Sequence, residues 1–305
     1  MKAPVVTSLG SGIAAYSQLP GDWFLNNAGW CVGPNATLLI DTCATEARTR
    51  RLLTALGDAD SSGRPPTVAL THAHGDHANG AGLVARAGGT VLATSRAAAV
   101  ITAGPHTYPE VFAYDGWGDI TPPLDIRIVD NPIDLDLGGG RSARIIPVPG
   151  RAHTDGDLVV WLPHDSVLFT GDLLFAGVTP LAVHGSIAGW LAALGWLATF
   201  EAAHIVPGHG PVAGHAHADT SSSPDPLAEI TGYLRWLLDV TEAADPDFAG
   251  LAEQARTRWP NWLDSERHAA NLRIAHAEAH GHVPDLAAIF AAMLASAGGV
   301  LTLRI

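Results

Sequence analysis

The chain has 305 residues, of which 47% are hydrophobic and only 15% are charged, a composition typical of a compact globular enzyme and unlike a disordered or fibrous chain. The formal net charge is −13, and a single lysine, Lys2, stands beside sixteen arginines. A chain without a basic patch has little means of neutralising phosphates, so nucleic acids and anionic membrane surfaces are not expected partners.

Cysteine content and apolar runs give an expected location. Cys31 and Cys43 could pair if oxidised, but two cysteines make no disulfide framework, and we expect two small buried hydrophobic side chains. The N-terminus lacks the apolar stretch of a secretory signal, and the longest apolar run, 187–200, is too short to span a bilayer. The expected location is the cytoplasm.

Strands are predicted where apolar residues alternate with polar ones between turn residues; they are 5–9, 12–16, 36–40, 90–93, 126–129, 133–137 and 144–148. Helices are predicted where apolar residues recur every three to four positions; they are 45–56, 79–87, 95–102 and a stretch after Ser186. Ser95 and Ser186 are the predicted N-caps of the last two helices. Strands alternate with helices along most of the chain.

The densest group of polar side chains is "THAHGDHANG", which follows the apolar run 67–70. It places three imidazoles, His72, His74 and His77, and the carboxylate of Asp76 within six positions. Imidazole and carboxylate are the ligands expected for zinc or another borderline divalent ion. Alternate positions at a strand end put His72 and His74 on one side, and Asp76 and His77 can then bind a second ion.

Four further residues occupy similar positions downstream. His153, Asp172, His209 and His184 are each predicted to lie in a loop that follows an apolar strand. HxHxDH followed by a lone His, a lone Asp and a final His resembles the motif set of the metallo-β-lactamase superfamily. The resemblance covers about residues 5–215.

This resemblance implies an α+β fold, a four-layer αββα sandwich with the site at one edge. It implies that His72, His74 and His153 hold one metal, that Asp76, His77 and His209 hold a second, and that Asp172 bridges the two. Asp41, at the end of "TLLID", would orient the ligand loop from behind. The alternative for Asp41 is a turn former or a helix cap. The implied cofactor is two Zn²⁺, with iron and manganese as the other metals to consider.

The predicted domains are 1–215, the catalytic domain, and 216–305, a helical extension packed on it. The linker between them is rich in small residues, and its His215 and His217 are expected to be solvated. The segment 300–305 could form an edge strand or a contact in a homodimer. Within the extension, "ERHAANLRIAHAEAHG" is interpreted as a helix with a mixed, exposed face.

Aromatic residues in two loops are candidates for a substrate pocket. Trp23 and Phe24 lie in a segment rich in turn residues after the first strands, and Tyr108 and Trp117 lie in the long loop 104–123. They could line a pocket for a flat or apolar substrate, or they could simply anchor the core and the loop. His184 is a candidate for substrate contact and catalysis, and Asp76 for proton relay.

Two divalent ions would acidify a water molecule and polarise an acyl carbonyl, so hydrolysis of an acyl group is the expected chemistry. Asp172 stands in "TGD", where the best-known β-lactamases of this superfamily carry Cys and where its thioesterases and lactonases carry Asp. A chain with one lysine offers few basic residues for an anionic glutathione thioester. The segments "GVTPLAVHGSIAG" and "ERHAANLRIAHAE" resemble those of actinomycete aromatic polyketide cyclases and acyl-carrier thioesterases.

The resulting hypothesis is a dinuclear zinc enzyme of secondary metabolism that cyclises a polyketide or hydrolyses an acyl thioester, either as a small molecule or bound to a carrier. A lactonase or another zinc hydrolase of the same fold is the first alternative. A mononuclear iron persulfide dioxygenase, which shares the HxHxDH motif, is the second.

Overall fold

The central strands of the computed structural model, which describes residues 3–214 and 225–305, are apolar on both sides. In β4 (Thr37–Ile40), Leu38 and Ile40 face one apolar core while Leu39 faces another. Successive side chains of a strand point to opposite faces, so such a strand has to be covered on both sides. The sheet that contains it therefore lies between two apolar layers.

Two sheets pack face to face. The first has the order β1–β2–β3–β4–β5–β6–β8, in which the strands other than β4 are β1 (Val5–Gly10), β2 (Ile13–Ser17), β3 (Asn27–Val32), β5 (Thr67–Ala69), β6 (Thr90–Ala93) and β8 (Arg127–Ile128). The second has the order β14–β13–β12–β11–β10–β9, with β9 (Ile133–Gly138), β10 (Arg141–Pro147), β11 (Leu158–Leu162), β12 (Val167–Phe175), β13 (His204–His209) and β14 (Ala213–Gly214). Parallel pairing joins β4, β5, β6 and β8 in the first sheet and β12 with β13 in the second.

Helices cover the outer face of each sheet. An apolar cluster joins the first sheet to α1 (Glu46–Ala59), α3 (Ala81–Arg86) and α4 (Ser95–Ala103). A larger cluster joins the second sheet to α5 (Ile187–Leu197), α6 (Pro226–Val240), α7 (Phe248–Arg258), α8 (Arg267–Ala279) and α9 (Leu286–Ala297). The third cluster lies between the sheets. The layers are therefore αββα, and the predicted α+β class is confirmed.

Most predicted elements are present, with two differences at helix ends. Ser186 caps α5, because its hydroxyl accepts from the backbone N–H of Gly189 at 3.0 Å, as predicted. The predicted cap Ser95 is wrong: Thr94 caps α4 and Ser95 is its first residue. The predicted helix 79–87 is present as α3, which begins two residues later, and a further short helix, α2 (Gly75–Ala78), precedes it.

The C-terminal helices α6 to α9 pack against the second sheet and α5. Glu278 of α8 accepts from the backbone N–H groups of Ile187 and Ala188 at 2.7 and 2.9 Å, so it closes the N-terminus of α5. The predicted boundary at 215/216 lies outside the described residues, as do His215 and His217. The extents of the two domains stay a prediction.

The predicted exposed face of α8 is wrong. Arg267, His268 and Asn271 are 2%, 0% and 0% exposed. Polar partners compensate for part of this burial: Arg267 donates to the carbonyl of Thr179 at 2.8 Å and pairs with Asp264 at 2.8 Å. The polar residues of α8 thus connect it to the rest of the fold.

Three smaller predictions have clear outcomes. Of the alternatives for the last residues, the structure contains the strand: β15 (Leu301–Thr302) pairs in parallel with β7 (Phe112–Ala113). Cys31 and Cys43 are both free and buried, as expected. Across residues 3–214 and 225–305, no helix combines the length and apolarity that crossing a membrane requires.

Titration of His268 gives a test of how α8 contributes to stability. Burial, together with the charge of Arg256, lowers the pKa of His268 to about 4. The unfolded chain, with a histidine pKa of about 6.5, therefore takes up the proton first, and the free energy of unfolding falls as pH drops from 6.5 to 4, by about 2 kcal/mol at pH 5. His268→Asn keeps an acceptor for the Tyr233 hydroxyl, which lies 2.9 Å from His268 Nδ1, but does not titrate.

Between pH 7 and pH 5, we therefore expect the free energy of unfolding to fall by about 2 kcal/mol less in His268→Asn than in the wild type. Urea unfolding of both proteins, each treated with a chelator, measures this difference. Identical pH dependence in the two proteins would contradict the assignment.

Candidate metal centre

The predicted ligands meet at one edge of the sandwich because each lies at or near the end of a strand. His72 and His74 follow β5, and Asp76 and His77 lie in α2 immediately afterwards. Asp172 lies within β12 and His209 is the last residue of its parallel neighbour β13, so the prediction that both lie in loops after their strands is wrong. His153 lies in the loop between β10 and β11. All seven side chains except His74 are buried.

These side chains form two groups, and within each group the ligand atoms lie within 4.8 Å of one another. The first group is His72, His74, His153 and Asp172, and the second is Asp76, His77 and His209. The structure thus brings together the two sets that the family resemblance implied.

Asp172 reaches both groups with different oxygens. Its Oδ2 lies 3.7 Å from His72 Nε2 and 3.4 Å from His153 Nε2, whereas Oδ1 lies 3.0 Å from His77 Nε2 and 3.6 Å from His209 Nε2. Gly208 permits this position, because a Cβ there would lie 1.9 Å from Oδ1. The carboxylate is therefore placed between the two groups.

Asp41 orients two of the imidazoles. Its Oδ2 lies 2.8 Å from His77 Nδ1 and accepts from the Thr71 hydroxyl at 2.7 Å, while Oδ1 accepts from the Thr71 backbone N–H at 2.6 Å. The Thr71 hydroxyl oxygen in turn lies 3.1 Å from His72 Nδ1. With both Nδ1 atoms engaged, His72 and His77 direct Nε2 into the cluster, the arrangement that metal-binding histidines commonly require.

The charges of the cluster match the needs of a cation. Burial lowers the pKa of His72, His74 and His153 well below the usual value, so these rings are neutral and can ligate. Burial alone would raise the pKa of Asp172, but the imidazoles of His209 and His77 outweigh it and lower that pKa well below its usual value.

The second group holds the balancing positive charge. Burial alone would lower the pKa of His209, but Asp172 and Asp76 raise it to about 9. For His77, the same opposing effect of burial is outweighed by Asp172, Asp41 and Asp76, which raise the pKa well above the usual value. Positive charge is thus favoured where a divalent cation would lie.

The donor set fits such a cation. His77 Nε2 and Asp172 Oδ1 are buried without a hydrogen-bond partner, although they lie 3.0 Å apart. Buried polar atoms are rarely left without a partner, so these two are available as ligands. Imidazole nitrogens and carboxylate oxygens suit zinc and similar divalent ions.

A cavity that is partly open to solvent, with about 570 Å³ of space including its mouth, borders the cluster. Trp23, Phe24 and Tyr108 line it, as expected of pocket residues. Trp117 does not reach it: its ring packs edge-on against Phe24 at 5.1 Å, and its Nε1–H donates to the carbonyl of Tyr114. Trp117 therefore supports the wall from behind.

Sequence reasoning missed the contribution of the C-terminal helices to this cavity. Arg267 of α8 and Phe290 and Met293 of α9 line it. The Arg267 guanidinium lies 3.7 Å from the centre of the Trp23 ring, and Trp23 Nε1 donates to Glu266 at 2.5 Å. The apolar residues of α9 were the available signal, but nothing in their spacing indicates which surface they cover.

His184 is placed next to a ligand as well as next to the cavity. Its Nδ1 lies 2.9 Å from Nε2 of His74, and its ring lines the cavity wall. Burial, with the nearby charges of His106 and Arg151, lowers the pKa of His184. The ring is therefore neutral.

Comparison with known proteins agrees with this geometry. Residues 21–209 match the model of the Metallo-beta-lactamase superfamily. Two curated relatives, both named hydroxyacylglutathione hydrolase and from two strains of Cereibacter sphaeroides, are 30% identical over 159 residues, which is 52% of this chain and 53% of each relative. The chain thus spans about half the length of these relatives.

Solved structures show the same fold. A metallo-beta-lactamase from Pontibacter korlensis is 21% identical, with a TM-score of 0.59, and the match covers 76% of this chain and 99% of that one. The metallo-beta-lactamase FIM-1 from Pseudomonas aeruginosa, solved in a mono-zinc form, is 22% identical, with a TM-score of 0.57, and the match covers 76% and 95%.

Replacement of Asp41 tests its effect on the imidazoles. We expect Asp41→Asn to weaken zinc binding by about 10- to 100-fold, because an amide cannot hold the Nδ1 protons as a carboxylate does. Competition with a chromophoric chelator measures the affinity. Asp165→Asn is the control, since Asp165 pairs with Arg141 at 3.2 Å and touches none of the ligands. Equal affinity in both variants would show that Asp41 does not support the centre.

Proposed function

The chain belongs to the metallo-beta-lactamase superfamily, and from that premise we propose that it is a dinuclear zinc hydrolase of acyl compounds. The observation that supports the proposal most directly is the position of Asp172: its two oxygens face two separate groups of ligands beside an apolar cavity. One group with an isolated carboxylate would serve a single ion. A shared carboxylate supports two.

Each residue has a defined task in this proposal. The first metal would be held by His72, His74 and His153 and the second by Asp76, His77 and His209, with Asp172 shared. Such ions, when bound, supply an acidified water and a Lewis acid for an acyl carbonyl. Asp41 accepts a hydrogen bond from His77 Nδ1–H. The carbonyl of Gly21 accepts one from His209 Nδ1–H at 2.8 Å.

Asp76 is the residue best placed to move a proton. Its carboxylate lines the cavity and lies 3.1 Å from His209 Nε2. Burial alone would raise its pKa, but His77 and His209 lower it to about 2, so the carboxylate is ionised. Its position beside the cavity, rather than its basicity, favours it as the proton relay.

The cavity supports an apolar acyl group as the part of the substrate that is recognised. Its walls include Trp23, Phe24, Phe112 and Phe175, and among the described lining residues Arg267 is the one arginine. Arg267 is already paired with Asp264 and stacked on Trp23. A thioester or lactone with an apolar acyl part therefore fits better than one with several charges, although the curated relatives bear the name of a glutathione thioester hydrolase.

Cyclisation of an aromatic polyketide is the second candidate. The edge-to-face aromatic wall, in which Phe24 and Phe112 lie 5.0 Å apart, favours a flat, ring-forming substrate. In that reaction Asp76 would take up the proton from the carbon that becomes nucleophilic. The substrate could be a small molecule or bound to a carrier, and a role in secondary metabolism would follow from this candidate.

Metal content and turnover measured together test the proposal. We expect about two zinc ions per chain by elemental mass spectrometry and hydrolysis of an acyl thioester or a lactone with an apolar acyl group. Asp172→Ala and His72→Ala should lower both metal content and kcat/KM, the latter by more than about 100-fold, because each removes a ligand rather than its support.

His164→Ala is the control for these variants, because the His164 side chain is 63% exposed and lies on Asp165, away from the ligands. A metal-free variant with full turnover would overturn the proposal. About one iron per chain without hydrolysis would favour the persulfide dioxygenase alternative instead.

A further inference from the structure

We propose that His184 is a positioning residue of the metal centre, which holds the ring of His74 in place by accepting a hydrogen bond from its Nε2. The inference rests on the proposed metal centre and adds a residue that lies outside the superfamily motif. Three observations support the inference: the orientation of three imidazoles, the contact between His74 and His184, and the packing around His184.

The ring of His74 is turned the opposite way from its neighbours. His74 Nδ1 lies 3.1 Å from His72 Nε2 and 3.0 Å from His153 Nε2, so three nitrogens converge at one place. His74 Nε2 points away from that place and lies 2.9 Å from His184 Nδ1. His72 and His153 thus offer Nε2 to the metal, whereas His74 offers Nδ1.

This orientation assigns the proton between the two rings. A neutral imidazole that ligates through Nδ1 carries its hydrogen on Nε2, so His74 Nε2 is the donor. His184 Nδ1 must then present its lone pair, and the hydrogen of His184 resides on its own Nε2. The contact is a directed hydrogen bond in which His184 accepts.

The loop that carries His184 is fixed to the loop that carries His153. The backbone N–H of Ser186 donates to the carbonyl of Ala152 at 2.9 Å, and Gly185 allows this approach because a Cβ there would lie 1.9 Å from the same oxygen. Arg151 donates to the carbonyl of His184 at 3.3 Å. One loop therefore determines the positions of two rings.

The ring of His184 is also held from the side. Tyr108 stacks on it with centroids 6.4 Å apart and planes 26° apart, and His106 stacks on Tyr108 with centroids 6.1 Å apart. His184 and Tyr108 line both the main cavity and a second, solvent-open cavity. A substrate in either cavity would contact the residue that supports His74.

Other ligands find their partners elsewhere. His77 is held by Asp41 and His209 by the carbonyl of Gly21. Replacing His184 should therefore affect the group that contains His74 and leave the second group intact. This selectivity separates a positioning role from a general loss of structure.

The test compares metal binding by four proteins: wild type, His184→Leu, His184→Asn and His106→Leu. Leu fills the space of the ring without an acceptor, whereas Asn places a carbonyl oxygen near the position of Nδ1. His106→Leu is the matched control, because it removes a histidine from the same stack that touches no ligand. Zinc affinity is measured by chelator competition, and the Co²⁺-loaded proteins give absorption spectra that report ligand geometry.

We expect His184→Leu to weaken binding of one of the two metals by about 10- to 100-fold and to change the Co²⁺ spectrum. His184→Asn should restore affinity to within a few-fold of wild type, and His106→Leu should behave as wild type. If His184→Leu does not fold, His184→Ala removes the same acceptor without adding bulk, and chelator-treated thermal unfolding verifies the fold.

Wild-type affinity and spectrum in His184→Leu would overturn the inference and leave the proposed function intact, as would equal losses in His184→Leu and His184→Asn. Absence of divalent metal binding by the wild-type protein would overturn both.

Discussion

The buried carboxylate of Asp172 is the constraint on which the rest of the site depends. An ionised carboxylate at 5% exposure is expensive to bury unless positive charge or metal compensates for it. The fold meets this requirement by bringing four imidazoles to its two oxygens from three different segments of the chain. Those segments belong to both sheets, so the compensating charges reach Asp172 only when the two sheets are packed face to face.

The outer partners of the imidazoles differ in character between the two groups. The second group rests on an anion, Asp41, and on a backbone carbonyl, whereas the first rests on a threonine hydroxyl and on the neutral ring of His184. His153 Nδ1 is buried without a hydrogen-bond partner, and its ring packs against Trp190 instead. The second group thus has direct contact with an anion, whereas the first has hydrogen bonds to neutral groups and the packing of His153 on Trp190, which makes the loop of His184 important to the first.

The metal ligands could be predicted from sequence because their signal is local. HxHxDH lies within six positions, and each later ligand follows an apolar run of sequence, which places it in or just after a strand at the same edge. Trp117 and Arg267 could not be placed in this way. Whether an aromatic ring faces a cavity or the layer behind it depends on contacts such as Phe24 with Trp117. Arg267 resembles a surface residue until the carbonyl of Thr179, 88 positions away, is known to accept from it.

The pairing of β15 with β7 has a consequence for how the protein is made. The ligands lie between residues 72 and 209, but Leu301 pairs with Phe112, in the same loop as Tyr108, and Met293 closes the wall beside it. Synthesis runs from the N-terminus, so the segments that carry the ligands leave the ribosome before α8 and α9, which supply part of the cavity wall. The cavity wall is therefore the last part of the site to be synthesised.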